Sequence, residues 1–299
     1  MKKFFLYLLA ALLPLAVIYY SFFTLDSQPI PQQEILTAFE RTSSEPVELT
    51  LTPVDERTFR FEYSSFDGET VLGQISYPAQ AKDQYPLLIG IHAMGRSFPR
   101  WWVDSLKGRA TVTHVNKITQ LAHQKGYAVI AIDARYHGSR KDPNKTLRSI
   151  MTAMTVLGDK ADYVDMIHHT VLDHRVLLDW IVQQPQFDTN NIHVAGYSMG
   201  GQLSLLLASV DDRISNVAAI VPPHIDDRLA LVAPKNLVDR LHHHKVWLFT
   251  AKDDENATME DNQMLFRTIS SPNKKLLEYN GNHILPPEYV DALADWFEV

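Results

Sequence analysis

Gly196-Tyr197-Ser198-Met199-Gly200 constrains this chain more than any other stretch. It lies between a strand-like run, Asn191-Ile192-His193-Val194-Ala195, and a helix-like run over residues 201–208. A serine flanked by glycines in this way suits a sharp strand-to-helix turn that pushes its hydroxyl outward. The backbone two residues to either side then passes too close to its neighbours to carry a Cβ. A bare five-residue pattern of this kind also arises as a glycine-rich turn with an incidental serine, so its surroundings must carry the reading.

Those surroundings read as alternating strands and helices. Residues 59–63 and 71–77 resemble two strands joined through Phe66-Asp67-Gly68, an opening antiparallel hairpin. The runs 85–92, 127–133 and 192–197 are almost continuously apolar and bounded by turn residues, as in strands buried on both faces of a parallel sheet. Residues 217–221, 246–250 and 274–279 supply three further strands. Between them, residues 162–184 carry Val164, Ile167, Val171, His174, Leu178 and Ile181 on one helical stripe, which Pro185 stops. Residues 286–297 read as a closing helix with Pro286 and Pro287 at its start. The expected fold class is α/β: one mostly parallel, doubly wound, eight-stranded sheet with helices on both faces, spanning residues 58–299.

The rest of the chain is bounded by composition. A net charge of −7 gives no support for nucleic-acid binding, and the absence of cysteine excludes disulfides and thiolate chemistry. Residues 4–23 are apolar apart from Ser21 and follow Lys2-Lys3, close to the roughly 20 residues that a helix needs to cross a bilayer. Residues 1–25 are thus expected to be a signal anchor that partners the membrane, or a cleaved signal peptide, with the remainder on the extracytoplasmic side. Residues 26–57, rich in Gln, Ser, Thr, Glu and Pro, read as a tether with a short helix near 33–41.

A serine hydroxyl becomes a good nucleophile only when a base takes its proton, and a carboxylate fixes that base's tautomer. Asp253-Asp254 follow one predicted strand, and His283, in Asn280-Gly281-Asn282-His283, follows another. Both lie past strand carboxyl ends, where open α/β sheets build their sites. Asp226 and Asp227 are weaker candidates for the acid, in a solvated loop. Of thirteen histidines, His242-His243-His244 and His168-His169 are consecutive and cannot share one face to hold a metal, and His174 reads as a hydrogen-bonded core residue.

With these motifs in hand, the chain resembles the α/β-hydrolase superfamily over residues 59–299. Besides the serine turn, Ile89-Gly90-Ile91-His92-Ala93-Met94-Gly95 is similar to the oxyanion loop, with Ala93 where the family usually has glycine. Asp133-Ala134-Arg135-Tyr136-His137-Gly138-Ser139 is similar to the Asp-x-Arg-x-His-Gly stretch, and Asn280 to His283 to the histidine loop. The resemblance implies a Ser198, His283 and Asp254 triad, Asp254 being selected over Asp253 because Ala251-Lys252-Asp253-Asp254 matches Gly-x-x-Asp. It implies an oxyanion hole from the backbone N–H groups of Met94 and Met199, and structural roles for His92 and His137. Trp101, Trp102 and Tyr197 are candidates to line the substrate pocket; the alternative for the segment Phe98-Pro99-Arg100-Trp101-Trp102 is that it caps the first helix. Residues 139–160 and 224–244 are expected to overhang an open site. The implied activity is hydrolysis of small carboxylic esters through an acyl-enzyme, with no metal or organic cofactor. The alternatives are a peptidase of prolyl-oligopeptidase type, since Gly-Tyr-Ser-Met-Gly-Gly also resembles that branch, and a catalytically silent, membrane-tethered binding protein on the same scaffold.

Overall fold

Alternation along the strands sorts the apolar side chains into two layers. Leu87, Ile89 and Ile91 join one buried cluster while Leu88 joins the other, and Val246 and Leu248 part from Trp247 and Phe249 in the same way. A sheet with two apolar faces must be covered on both. A computed structural model, which describes residues 12, 14, 19, 23–41 and 46–298, shows how this is done.

The strands are β1 (Thr50–Pro53), β2 (Thr58–Ser64), β3 (Thr70–Ser76), β4 (Tyr85–Ile91), β5 (Ser105–Leu106), β6 (Arg109–Ala110), β7 (Ala128–Ile132), β8 (Phe187–Tyr197), β9 (Asn216–Ile220), β10 (Lys245–Ala251) and β11 (Asn273–Tyr279). The helices are α1 (Gln32–Ala38), α2 (Val115–Gln124), α3 (Leu147–Leu157), α4 (Ala161–Ile181), α5 (Met199–Val210), α6 (Met259–Thr268) and α7 (Tyr289–Trp296). Nine strands form one sheet in the order β1-β2-β3-β7-β4-β8-β9-β10-β11, and β5 with β6 makes a separate small hairpin. The pairings from β7 through β11 are parallel, and β1, β2 and β3 add on antiparallel. Helices α4 and α5 cover one face; α2 and α7, through Val115, Ile118, Leu293 and Trp296, cover the other.

The eight expected strands are all present, and β1 makes a ninth. It pairs only with β2 and its four residues are exposed, so no apolar pattern announced it. The expected tether over 26–57 is also different in part. Ile35 and Phe39 are fully buried in the cluster beneath α4, and the Arg41 guanidinium donates to Asp179 at 2.6 Å. Two apolar residues four apart suffice to dock a short helix, although its polar composition reads as linker. Most of the expected membrane segment, and residues 42–45, lie outside the described residues. Among the described residues no helix is long and apolar enough to cross a membrane.

Candidate active site

Ser198 sits where β8 ends and α5 begins, with φ 56° and ψ −119°. A non-glycine residue in that region carries strain of roughly 1–3 kcal/mol and persists only when its surroundings hold it. They do so here. The Ser198 N–H donates to the Ile220 carbonyl at 2.8 Å, and its own carbonyl accepts the Gln202 N–H at 3.1 Å. A Cβ on Gly196 would stand 2.1 Å from the Gly200 carbonyl oxygen, and one on Gly200 would stand 2.2 Å from that of Ile91. Only glycine at both places lets the turn close against the end of β4.

His283 and Asp254 converge on this turn. His283 Nε2 is 2.8 Å from Ser198 Oγ, and His283 Nδ1 is 2.9 Å from both carboxylate oxygens of Asp254. The Asp254 side chain is 1% exposed and also accepts the Asn256 N–H at 2.8 Å. Asp253 points elsewhere: it is exposed, and its N–H donates to the Gly281 carbonyl at 2.9 Å, tying the acid loop to the histidine loop. Asp226 and Asp227 bind Arg228 and Lys235 instead.

Tyr197, expected to line a pocket, is buried at 1% exposure and faces away from solvent. Its hydroxyl donates to the His283 carbonyl at 2.9 Å and accepts the Leu285 N–H at 2.9 Å. Burial pushes the phenol up to about 12, so the group stays neutral and keeps its proton to donate. Trp101 is likewise not in a pocket. It is fully buried over Gly90, while the half-buried Trp102 donates its Nε1–H to Ser76 Oγ at 2.7 Å. The two tryptophans therefore seal the sheet beside α2; large aromatic surface went to the core rather than the site.

Met199 is the first residue of α5, where N–H groups lack intrahelical acceptors and the helix dipole is positive. Met94 is half-buried, two residues beyond His92. His92 Nε2 accepts the Ala134 N–H at 3.1 Å, which leaves Nδ1–H to donate to the Ala93 carbonyl at 2.9 Å. Burial holds His92 down at about 4, so this neutral tautomer persists and fastens the Met94 loop to the loop after β7. His137 is similarly held at about 3, mainly by burial, and its Nδ1 lies 2.7 Å from the Arg135 carbonyl.

The loop after β7 has partners that sequence reasoning missed. Asp133 accepts the Phe98 N–H at 3.0 Å and both Ser139 donors at 2.8 Å. Arg135 and Arg140 share the fully buried Asp173 of α4. An aspartate on an otherwise apolar helical face was the available signal. His244, the last of the three consecutive histidines, is mostly buried beside Ser271, which donates to its carbonyl.

The order of these parts along one sheet, with a serine turn, a late acid and a later histidine at successive strand ends, decides the architecture. The chain has the α/β-hydrolase fold. A model of the α/β hydrolase fold matches residues 105–243. Among solved structures, acetyl xylan esterase 1 from Thermoanaerobacterium sp. JW/SL YS485 superposes with a TM-score of 0.71 at 19% identity, covering 92% of this chain and 95% of that one. The acetyl xylan esterase from Paenibacillus sp. R4 gives 0.64 at 17% identity, over 91% and 97%. An esterase from Pyrococcus furiosus gives 0.56 at 16%, over 91% and 98%. No curated protein matches in sequence. In this hydrolase fold the strand-end positions of Ser198, Asp254 and His283 form one continuous hydrogen-bonded line.

Proposed function

We propose that the protein is a serine hydrolase that cleaves carboxylic esters through an acyl-enzyme. The observation that carries this is the unbroken line from Ser198 Oγ through the His283 ring to Asp254, at 2.8 and 2.9 Å. Ser198 Oγ attacks the ester carbonyl carbon as its proton passes to His283 Nε2. Asp254 accepts the Nδ1–H and steadies the imidazolium. The oxyanion accepts the N–H groups of Met199 and Met94, each such preorganised donor contributing roughly 3 to 4 kcal/mol to the transition state. Collapse breaks the C–O bond, and the departing alcohol takes the proton from Nε2. Water then repeats the sequence and releases the acid, with no metal or organic cofactor called upon.

The structural likeness to enzymes named as esterases supports the ester reading. Ser198→Ala is expected to lower kcat for p-nitrophenyl acetate by about 10^4 or more and to abolish labelling by a fluorophosphonate probe. Undiminished labelling of that variant would overturn the assignment. Turnover of a proline anilide above that of the acetyl ester would favour the peptidase instead. A wild-type protein that neither labels nor turns over would be a binding protein.

A further inference from the structure

Next to Met94 along the chain lies a groove of about 1350 Å³, measured with its mouth, whose walls are basic. One wall is Gly95, Arg96 and Ser97, which directly follow Met94; the other includes Gly138 and Ser139 of the loop after β7. The groove begins at Gly95, one residue past Met94, in the loop that leaves β4 where Ile91 runs level with Gly196.

Arg60, Arg96, Arg100, Lys107, Arg109 and Lys141 line it, and Asp133 is the one carboxylate among the lining residues. Asp133 is already engaged by Phe98 and Ser139. Among the described residues none of the six cations has a carboxylate partner. On a chain of net charge −7 this groove thus gathers six cations around one engaged carboxylate. It is also built rigidly. The buried Arg100 guanidinium donates to the Arg109 carbonyl at 2.6 Å and to Thr111 Oγ1 at 3.1 Å, which fixes the β5–β6 hairpin. The turn of that hairpin, Lys107-Gly108, has positive φ at both residues and holds Lys107 and Arg109 exposed.

We propose that this groove is the subsite for the charged part of the substrate, an oligoanion whose carboxylates or phosphates the cations receive while the ester lies at Ser198. Unpaired guanidinium groups favour oxyanions, and several spaced cations favour several anions over one. The proposal rests on the esterase reading for the reaction, and its binding arm stands apart from it.

The test uses the full-length protein with three O-acetylated substrates of equal length: an oligogalacturonate, a glycerol-phosphate oligomer and a neutral xylo-oligosaccharide. One of the two anionic substrates is expected to exceed the neutral one in kcat/KM by at least about tenfold at low ionic strength, an advantage lost in high salt. Which anion wins identifies the source. The double variant Lys107→Glu/Arg109→Glu and, on a different element, Arg60→Glu should each reduce that ratio several-fold. Equal rates on all three, without salt dependence, would overturn the subsite and leave the esterase reading intact. If no ester is cleaved at all, salt-sensitive binding of deacetylated oligogalacturonate or glycerol-phosphate oligomer supports the groove, and the absence of both overturns it.

Discussion

Tyr197 does its work through a hydroxyl that no solvent reaches. It holds the His283 backbone from one side and Leu285 from the other, so the imidazole is held between Tyr197 on its main chain and Asp254 on its ring. A phenylalanine there would keep the packing against Tyr289 but strand two polar backbone groups. Tyr197→Phe is expected to lower kcat about tenfold with little change in KM, since the displaced group is His283, the base in the proposed mechanism, rather than a substrate contact. Steady-state kinetics on a p-nitrophenyl ester check this, and a pure KM effect would return Tyr197 to the pocket. The glycine pair at 196 and 200 was legible because a close approach of backbones leaves one residue type. Tyr197 was not, because its partners lie 86 and 88 residues away.

At the scale of elements, the strands were readable because each is short, apolar and closed by turn residues. Helix α1 was readable as a helix but not as part of the core. Its docking depends on a cleft formed by α4, where Phe39 meets His168 edge-on at a ring separation of 4.8 Å and the Phe39 carbonyl accepts from Arg175. Phe39→Ala is accordingly expected to destabilise the whole domain by about 3–5 kcal/mol, the ordinary cost of emptying a buried phenylalanine site. Urea unfolding of the full chain measures it. A loss below about 1 kcal/mol would show that residues 26–41 rest on the domain without supporting it. The β5–β6 hairpin escaped sequence reading for a related reason: four strand residues carry no periodicity, and the anchor is Arg100, a residue outside the hairpin.

For the whole molecule, buried histidines couple folding to pH. His92 is held at about 4, and His137 and His193 at about 3, in each case chiefly by burial. Unfolded histidine takes a proton near 6.5. Above that pH both states are neutral and these residues contribute no pH dependence. As the pH falls from about 6.5 towards 4 the unfolded chain binds protons that the folded one refuses, so stability drops by about 1.4 kcal/mol per pH unit for each fully effective histidine. Thermal melts should therefore show a midpoint at pH 5 at least about 5 °C below that at pH 7.5. A flat midpoint over that range would mean these rings charge within the fold. Because His92 and His137 also brace the loops after β4 and β7 beside the proposed oxyanion donor Met94, reversible loss of activity should accompany this destabilisation.

The order of strands and helices, the glycine-flanked serine turn, and an acid and histidine at later strand ends follow from the sequence alone. Each depends on local periodicity or on a backbone approach that few residues permit. Only the tertiary structure decided that Trp101 and Tyr197 belong to the interior, that α1 joins the core, and that six cations separated along the chain share one groove. These are matters of which side chains meet across long sequence separations. Propensity and spacing say nothing of that, because the free energy that selects such contacts is burial and charge pairing between elements, not within them.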